Sequence, residues 1–226
     1  MRNRTIAILC LSVLLATTGL LASGGSTSKP SDRAPEIVNT PEEQAADHYN
    51  HGLTYRDKAW KLHAKLDEAR DEKQREKIEK KIAKSYESAV REFASAVNKN
   101  PQMYQAFSSL GYVLRKTGQY EEALEAYNHA LAINPDYTEA VEYRAEAYLG
   151  LNRVDEAKSA YMQLFQSDRA KAEELLEAMQ QWVESRREDS AGLDQGQVDA
   201  FAGWVDERTE LSAVTAPVSE LRERSW

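Results

Sequence analysis

The sequence is short of the residues that carry covalent or catalytic chemistry. Cys10 is its only cysteine, so no disulfide framework can form. No serine stands in a Gly-x-Ser-x-Gly turn, and no glycine-rich loop could cradle a phosphate. Histidine is scarce, at four residues. His48 and His51 are three apart, with Asp47 beside them and His63 further along, but a fourth ligand is not evident. A metal-binding accessory protein using His48/His51 is therefore the alternative reading, and solvated helix-surface histidines the plainer one. No metal site, no cofactor and no catalytic residue is assigned, and the chain is read as a non-enzyme. Positive charge is the minority sign: 29 Lys and Arg stand against 37 Asp and Glu, for a net charge of −8. That balance argues against nucleic acid, whose phosphates need a basic face. The Lys/Arg-rich segment 70–84 is also rich in Asp and Glu and reads as a mixed, solvated face.

What the sequence does have is periodicity. Residues 119–135, QYEEALEAYNHALAINP, place Ala123, Tyr127, Ala130 and Pro135 at fixed intervals. Thirty-four residues earlier, Ala89, Phe93, Ala96 and Pro101 occupy the same places, with Tyr86 under Tyr120. Thirty-four later, Ala157 and Tyr161 match, while Leu164 replaces the second alanine and Arg169 the proline. The helix ahead of each carries its own pattern: Phe107, Leu110, Gly111, Leu114 and Gly118 in one unit, Val141, Ala145, Tyr148 and Asn152 in the next. A period of 34 residues marks stacked helix-turn-helix units.

In these residues the chain resembles the tetratricopeptide repeat (TPR) family. Residues 104–137 match its pattern at nearly every signature position, residues 138–171 at about half, and the unit ending at Pro101 only in its second helix. The resemblance covers roughly 45–187 and implies an all-α, right-handed helical-hairpin solenoid of about three units plus a capping helix. Each apolar stripe at i, i+3, i+4 and i+7 needs a neighbouring helix to cover it. Ala and Gly admit close crossings, Gly118 and Asn152 suit left-handed turns between helices, and Pro135 ends a helix.

The first unit departs from the pattern. Gly52 and Ala89 are 37 positions apart where Gly111 and Ala123 are 12 apart. The additional stretch, about 25 residues, is dominated by Ala, Leu, Glu, Lys, Arg and Gln, good helix formers. Both helices of the first pair are read as extended into an arm turning near Glu72, with Leu66 facing Ile78, Leu62 facing Ile82 and Tyr55 facing Ala89. The alternative is a single long helix.

Four regions follow. Residues 1–23 have Arg2 and Arg4 before an apolar run from Ile6 to Ala22, the layout of a signal peptide. Cleavage near Ala22–Gly24 would give a periplasmic or secreted protein; retention would give a membrane-tethered scaffold. Gly24 stands where a lipid-attachment cysteine would be required, so lipidation is not expected. Residues 24–41 are a Ser/Gly/Pro-rich linker ending in Thr40-Pro41-Glu42-Glu43, a good helix start. Residues 42–187 form the TPR-like domain, closed by a capping helix carrying Leu175, Leu176, Met179, Trp182 and Val183. Residues 188–226 are a tail with a short amphipathic helix, whose Val198, Phe201, Ala202 and Val205 either pack back on the array or bind a partner.

The resemblance also implies where ligands bind: a concave groove formed by the first helix of each pair, on faces free of the packing signature. Its candidates are Tyr49, Asn50, Leu53 and Arg56 in the first unit. In the second they are Gln105, Ser108, Tyr112, Arg115 and Lys116, and in the third Glu139, Glu142, Tyr143 and Glu146. Asn50 suits the carboxylate-holding TPR adaptors, but the glutamates of the third unit would repel a carboxylate. The expected role is non-catalytic protein binding or assembly scaffolding in the cell envelope. The expected partner is a protein segment carrying Lys or Arg, drawn by Glu139, Glu142 and Glu146 on one helix face. The oligomeric state is left open.

Overall fold

The computed structural model describes residues 39–214. Residues 1–38, which hold the expected signal peptide and most of the expected linker, and residues 215–226 lie outside that range. Among the described residues the protein is all-helical, with eight helices: α1 (Pro41–His63), α2 (Glu72–Lys99), α3 (Tyr104–Lys116), α4 (Tyr120–Ile133), α5 (Thr138–Gly150), α6 (Val154–Ser167), α7 (Arg169–Glu188) and α8 (Gln195–Val214). Each helix packs on the next, and the first helices of successive pairs also touch: α1 with α3, α3 with α5, α5 with α7. This is the helical-hairpin repeat that the 34-residue period predicts.

The helix ends follow from local chemistry. Thr40 caps α1 in a full capping box: its side chain accepts from the Glu43 amide, and the Glu43 carboxylate accepts from the Thr40 amide. Gly118 and Asn152, 34 residues apart, both adopt left-handed backbone, at φ 77° and 60°. Each is followed by the same bond across the turn: the Gln119 amide donates to the Leu114 carbonyl, and the Arg153 amide to the Tyr148 carbonyl. The third unit repeats the turn of the second with a different residue, because asparagine tolerates the left-handed region.

Within each pair a ring of the second helix lies against a small residue of the first. An added Cβ at Gly52 would fall 2.5 Å from the Phe93 ring, and one at Gly111 would fall 2.7 Å from the Tyr127 ring. In the third pair Ala145 takes the glycine's place and Tyr161 the ring's, both buried. Ala89, Ala96, Ala123, Ala130 and Ala157 are fully buried at the crossings.

The extended first pair forms, with α1 and α2 packed along their length. The turn is earlier than expected. It occupies residues 64–71, and Glu72 opens α2, because Asp71 accepts from the Gln74 amide and caps that helix. Tyr55, Leu62, Leu66, Ile78, Ile82 and Ala89 share one apolar cluster. The base of the arm also touches the array: Trp60 Nε1 donates to the Tyr112 hydroxyl at 2.7 Å.

At the other end, α7 and α8 make a further pair. Phe201, Ala202 and Val205 are buried in the same core as Leu175, Met179 and Trp182, and Val198 is buried too. Phe201 meets Trp182 edge-on and Trp204 meets Tyr161 edge-on. The α8 stripe therefore finds its partner in this chain.

The ring-on-glycine contact gives a direct test. Gly111→Ala should cost about 1–3 kcal/mol of stability, since the Tyr127 ring is fully buried and cannot yield. Gly203→Ala, on α8 with nothing near the added carbon, should be neutral or stabilising by up to about 1 kcal/mol. Urea unfolding of the two variants beside the parent protein measures the difference.

Candidate functional site

The candidate side chains stand on the first helices of the pairs, α1, α3 and α5. On α1, Arg56 lies over the Trp60 ring at 4.3 Å and pairs with Asp57. Trp60 is 42% exposed, although its indole N–H is held by Tyr112. Tyr112 on α3 meets Trp60 edge-on on one side and Tyr143 of α5 edge-on on the other. An aromatic row thus crosses three first helices, with Lys116 over the Tyr112 ring at 5.8 Å.

Beneath this row lies a buried charge pair. Arg115 of α3, 8% exposed, ion-pairs with Glu146 of α5 and sits over both Tyr112 and Tyr143. Burial works against the guanidinium charge, but Glu146 and the tyrosine rings outweigh it and raise the Arg115 pKa. Burial and the neighbouring Arg115 lower the Lys116 pKa. Burial also raises the tyrosines around them, Tyr86 to about 12, with Tyr112 and Tyr143 shifted in the same direction. These hydroxyls are neutral donors at physiological pH.

Glu142 departs furthest from expectation. It is 3% exposed, and its Oε2 lies 3.8 Å from Lys171 Nζ on α7, too far for a hydrogen bond. That oxygen has no hydrogen-bond partner among the described residues. Burial first, and the Glu146 carboxylate second, push the Glu142 pKa up to about 9; Lys171 pulls against them and loses. At neutral pH this carboxyl is protonated.

The three glutamates of α5 therefore do not form an open acidic stripe, and that expectation is corrected. Glu146 is neutralised by Arg115, and Glu142 is buried and uncharged. Glu139 alone stays accessible, accepting from the Tyr137 hydroxyl at 2.5 Å and the Tyr143 hydroxyl at 3.4 Å. Three further candidates, Ser108, Tyr112 and Arg115, are buried, so Tyr112 backs the aromatic row and does not open to a ligand as Trp60 does. Tyr49 tilts against Phe93 and is half-covered, as are Leu53 and Gln105; Asn50 is exposed.

Two participants had escaped the sequence reading. Trp60 follows Arg56 by four and Leu53 by seven, so helical spacing put it on the candidate face. Lys171 had no such signal, since it reaches Glu142 from a separate helix. As for the histidines, His48 Nδ1 lies 2.8 Å and His51 Nδ1 3.9 Å from Glu92 Oε2. Among the described residues, no group of three or more His, Cys, Asp or Glu is arranged to hold a metal ion.

Comparison with known proteins identifies the repeats. Residues 104–137 and 144–171 each match a tetratricopeptide repeat family. The chain is 34% identical over 131 residues to sperm-associated antigen 1 of Mus musculus, covering 54% of this chain and 14% of that protein. It is 24% identical over 99 residues to the transcription factor tau 131 kDa subunit of Saccharomyces cerevisiae, covering 44% and 10%. It thus spans only a small part of the curated relatives it matches. Among solved structures, the TPR2B domain of yeast Sti1 in complex with pHsp70 is similar at 16% identity and a TM-score of 0.38, covering 73% of this chain and 98% of that one. The crystal structure of MamA is similar at 16% identity and a TM-score of 0.38, covering 72% and 96%.

Glu142 supplies a pH test with a definite sign. Its pKa is raised in the folded state, so the unfolded chain ionises first as pH rises. Stability from this group is then full below about 4.5 and is lost progressively towards about 9. Glu142→Gln removes that loss. The stability difference between variant and parent should grow in the variant's favour between these values, by at most about 1.4 kcal/mol per pH unit. Denaturant titrations from pH 5 to pH 9 measure it, and parallel profiles would show that Glu142 is ionised in the folded protein.

Proposed function

We propose that the protein is a non-catalytic scaffold of the cell envelope that lays a segment of a partner protein across the first-helix face. Tetratricopeptide repeats support a protein-interaction module, and the observation that carries the finer reading is the row Trp60–Tyr112–Tyr143. A tryptophan left 42% exposed, with its polar edge already bonded, presents its ring to a ligand at no cost in unsatisfied hydrogen bonds. Arg56 and Lys116 border this row on one side and Glu139 on the other, so the face has opposite charges at its two ends. A partner segment fits with an apolar or aromatic residue on the row and a Lys or Arg at Glu139. The basic character of the partner thus rests on one carboxylate instead of three. The envelope setting rests on the Arg2/Arg4 and Ile6–Ala22 pattern, and N-terminal sequencing of the mature chain tests it.

Capture of binders from envelope extract on the immobilised protein supplies a partner for titration. Trp60→Ala should then weaken binding about tenfold or more, as expected for a central aromatic anchor. Glu139→Lys should weaken it less and reduce its dependence on salt. Glu142→Lys is unsuitable as a probe, because it places a charge in a buried position. Equal affinity for the parent protein and Trp60→Ala would rule out this face.

A further inference from the structure

Composition makes segment 70–84 a mixture of charges, but folding sorts them. Lys73, Lys77, Lys80, Lys81 and Lys84 stand at i, i+4, i+7, i+8 and i+11 of α2, all exposed. On a helix these positions fall within about a third of the circumference, over a length of about 16 Å. They lie opposite Ile78, Ile82 and Ala89, which α2 buries against α1. Only Lys80 has a carboxylate close by, Glu76 at 2.6 Å. Lys73, Lys77, Lys81 and Lys84 have none within 4.0 Å among the described residues. An exposed basic stripe on a protein of net charge −8 is a local reversal of sign.

The same spacing recurs with opposite charge on α8. Asp199, Asp206, Glu207 and Glu210 stand at i, i+7, i+8 and i+11, all exposed, on the side away from Val198, Phe201 and Val205. Gly203 takes the i+4 place, and nothing lies within 4 Å of it on that side. None of the four carboxylates has a basic side chain within 4.0 Å among the described residues; Asp199 accepts from Gln195 of its own helix. The two stripes cannot satisfy each other within one molecule. The α1–α2 pair packs on α3, and α8 packs on α7, at opposite ends of the succession of helix contacts.

We infer that copies of this protein associate head to tail, with the lysine stripe of α2 on one copy facing the carboxylate stripe of α8 on the next. The interface is heterologous, so every open assembly keeps one unused lysine stripe at one end and one unused carboxylate stripe at the other, and growth is open-ended unless the rotation closes a ring. Exposed ion pairs are individually weak and are screened by salt, so the association is modest, concentration-dependent and salt-sensitive. It is independent of the first-helix face described above.

Sedimentation velocity on the full chain tests this, at ~50 mM and ~500 mM salt, with protein concentrations up to ~1 mM. At low salt the mean mass should rise with concentration beyond that of a dimer, and high salt should lower the association constant about tenfold or more. Two triple variants separate the ends: Lys80→Glu with Lys81→Glu and Lys84→Glu, and Asp206→Lys with Glu207→Lys and Glu210→Lys. All six positions are exposed, and circular dichroism checks that helix content is kept. Each variant alone should lose assembly, while an equimolar mixture should regain it, because the native pair of stripes and the reversed pair are both of opposite sign. A parent protein that stays monomeric throughout overturns the proposal. So does assembly that survives either triple variant, or a mixture that does not regain it. Binding of the parent to vesicles of anionic lipid without self-association would instead assign the lysine stripe to a membrane surface and also overturns it.

Discussion

The architecture depends on how closely two helices of a pair can approach. Where Gly52 meets Phe93 and Gly111 meets Tyr127, a ring rests on bare backbone, at a separation that one extra carbon would prevent. That contact fixes the distance within a pair. The buried alanines fix the crossing to the next pair, and the ring recurs every 34 residues, at Phe93, Tyr127 and Tyr161, with Ala145 in place of glycine in the third pair. Once the spacing is set, the remaining faces of the first helices are brought side by side without further instruction. The aromatic row and the buried Arg115–Glu146 pair are consequences of that placement, since each joins residues of different helices.

The buried pair shapes the face in a way that exposed charges would not. Breaking a buried ion pair costs far more than breaking an exposed one, because the remaining charge stays out of water. Arg115 is enclosed by two tyrosine rings and one carboxylate, so it holds α3 against α5 and takes no ligand itself. Protonated Glu142 lies on the same side of α5, where a second charge would have raised the cost of burial. The ligand-facing layer is left to Trp60, the half-buried Tyr143, Lys116, Arg56 and Glu139.

Much of this was legible in the sequence. The repeat register, the left-handed turns at Gly118 and Asn152, the capped start at Thr40 and the helical arm all follow from residue types at short, fixed intervals. The membership of the face was largely legible too, because Tyr112, Arg115, Tyr143 and Glu146 project from predicted helices at predicted phases. Their ionisation was not. Arg115 and Glu146 are 31 residues apart and Trp60 and Tyr112 are 52 apart, so no local pattern announces either contact. Glu142 looked like a solvated carboxylate because its burial depends on Lys171 and the start of α7, a helix outside its own unit. The charge sorting on α2 was hidden for a simpler reason: composition counts charges, whereas a helix divides them by angle.

Asn152 illustrates how a repeat acquires a direction. Its backbone makes the same left-handed turn as Gly118, but its side chain accepts from Arg186 Nε at 3.0 Å, while Trp182 Nε1 donates to the Leu149 carbonyl at 2.7 Å. The closing helix therefore recognises the third unit by a side chain that the second unit lacks. The units are alike in backbone yet not interchangeable in order. Exchanging them would keep every turn and strip α7 of the asparagine that receives Arg186. Glycine at position 152 would likewise preserve the chain reversal while releasing that hold, so a single residue separates the shape of the repeat from the rule for where the array stops.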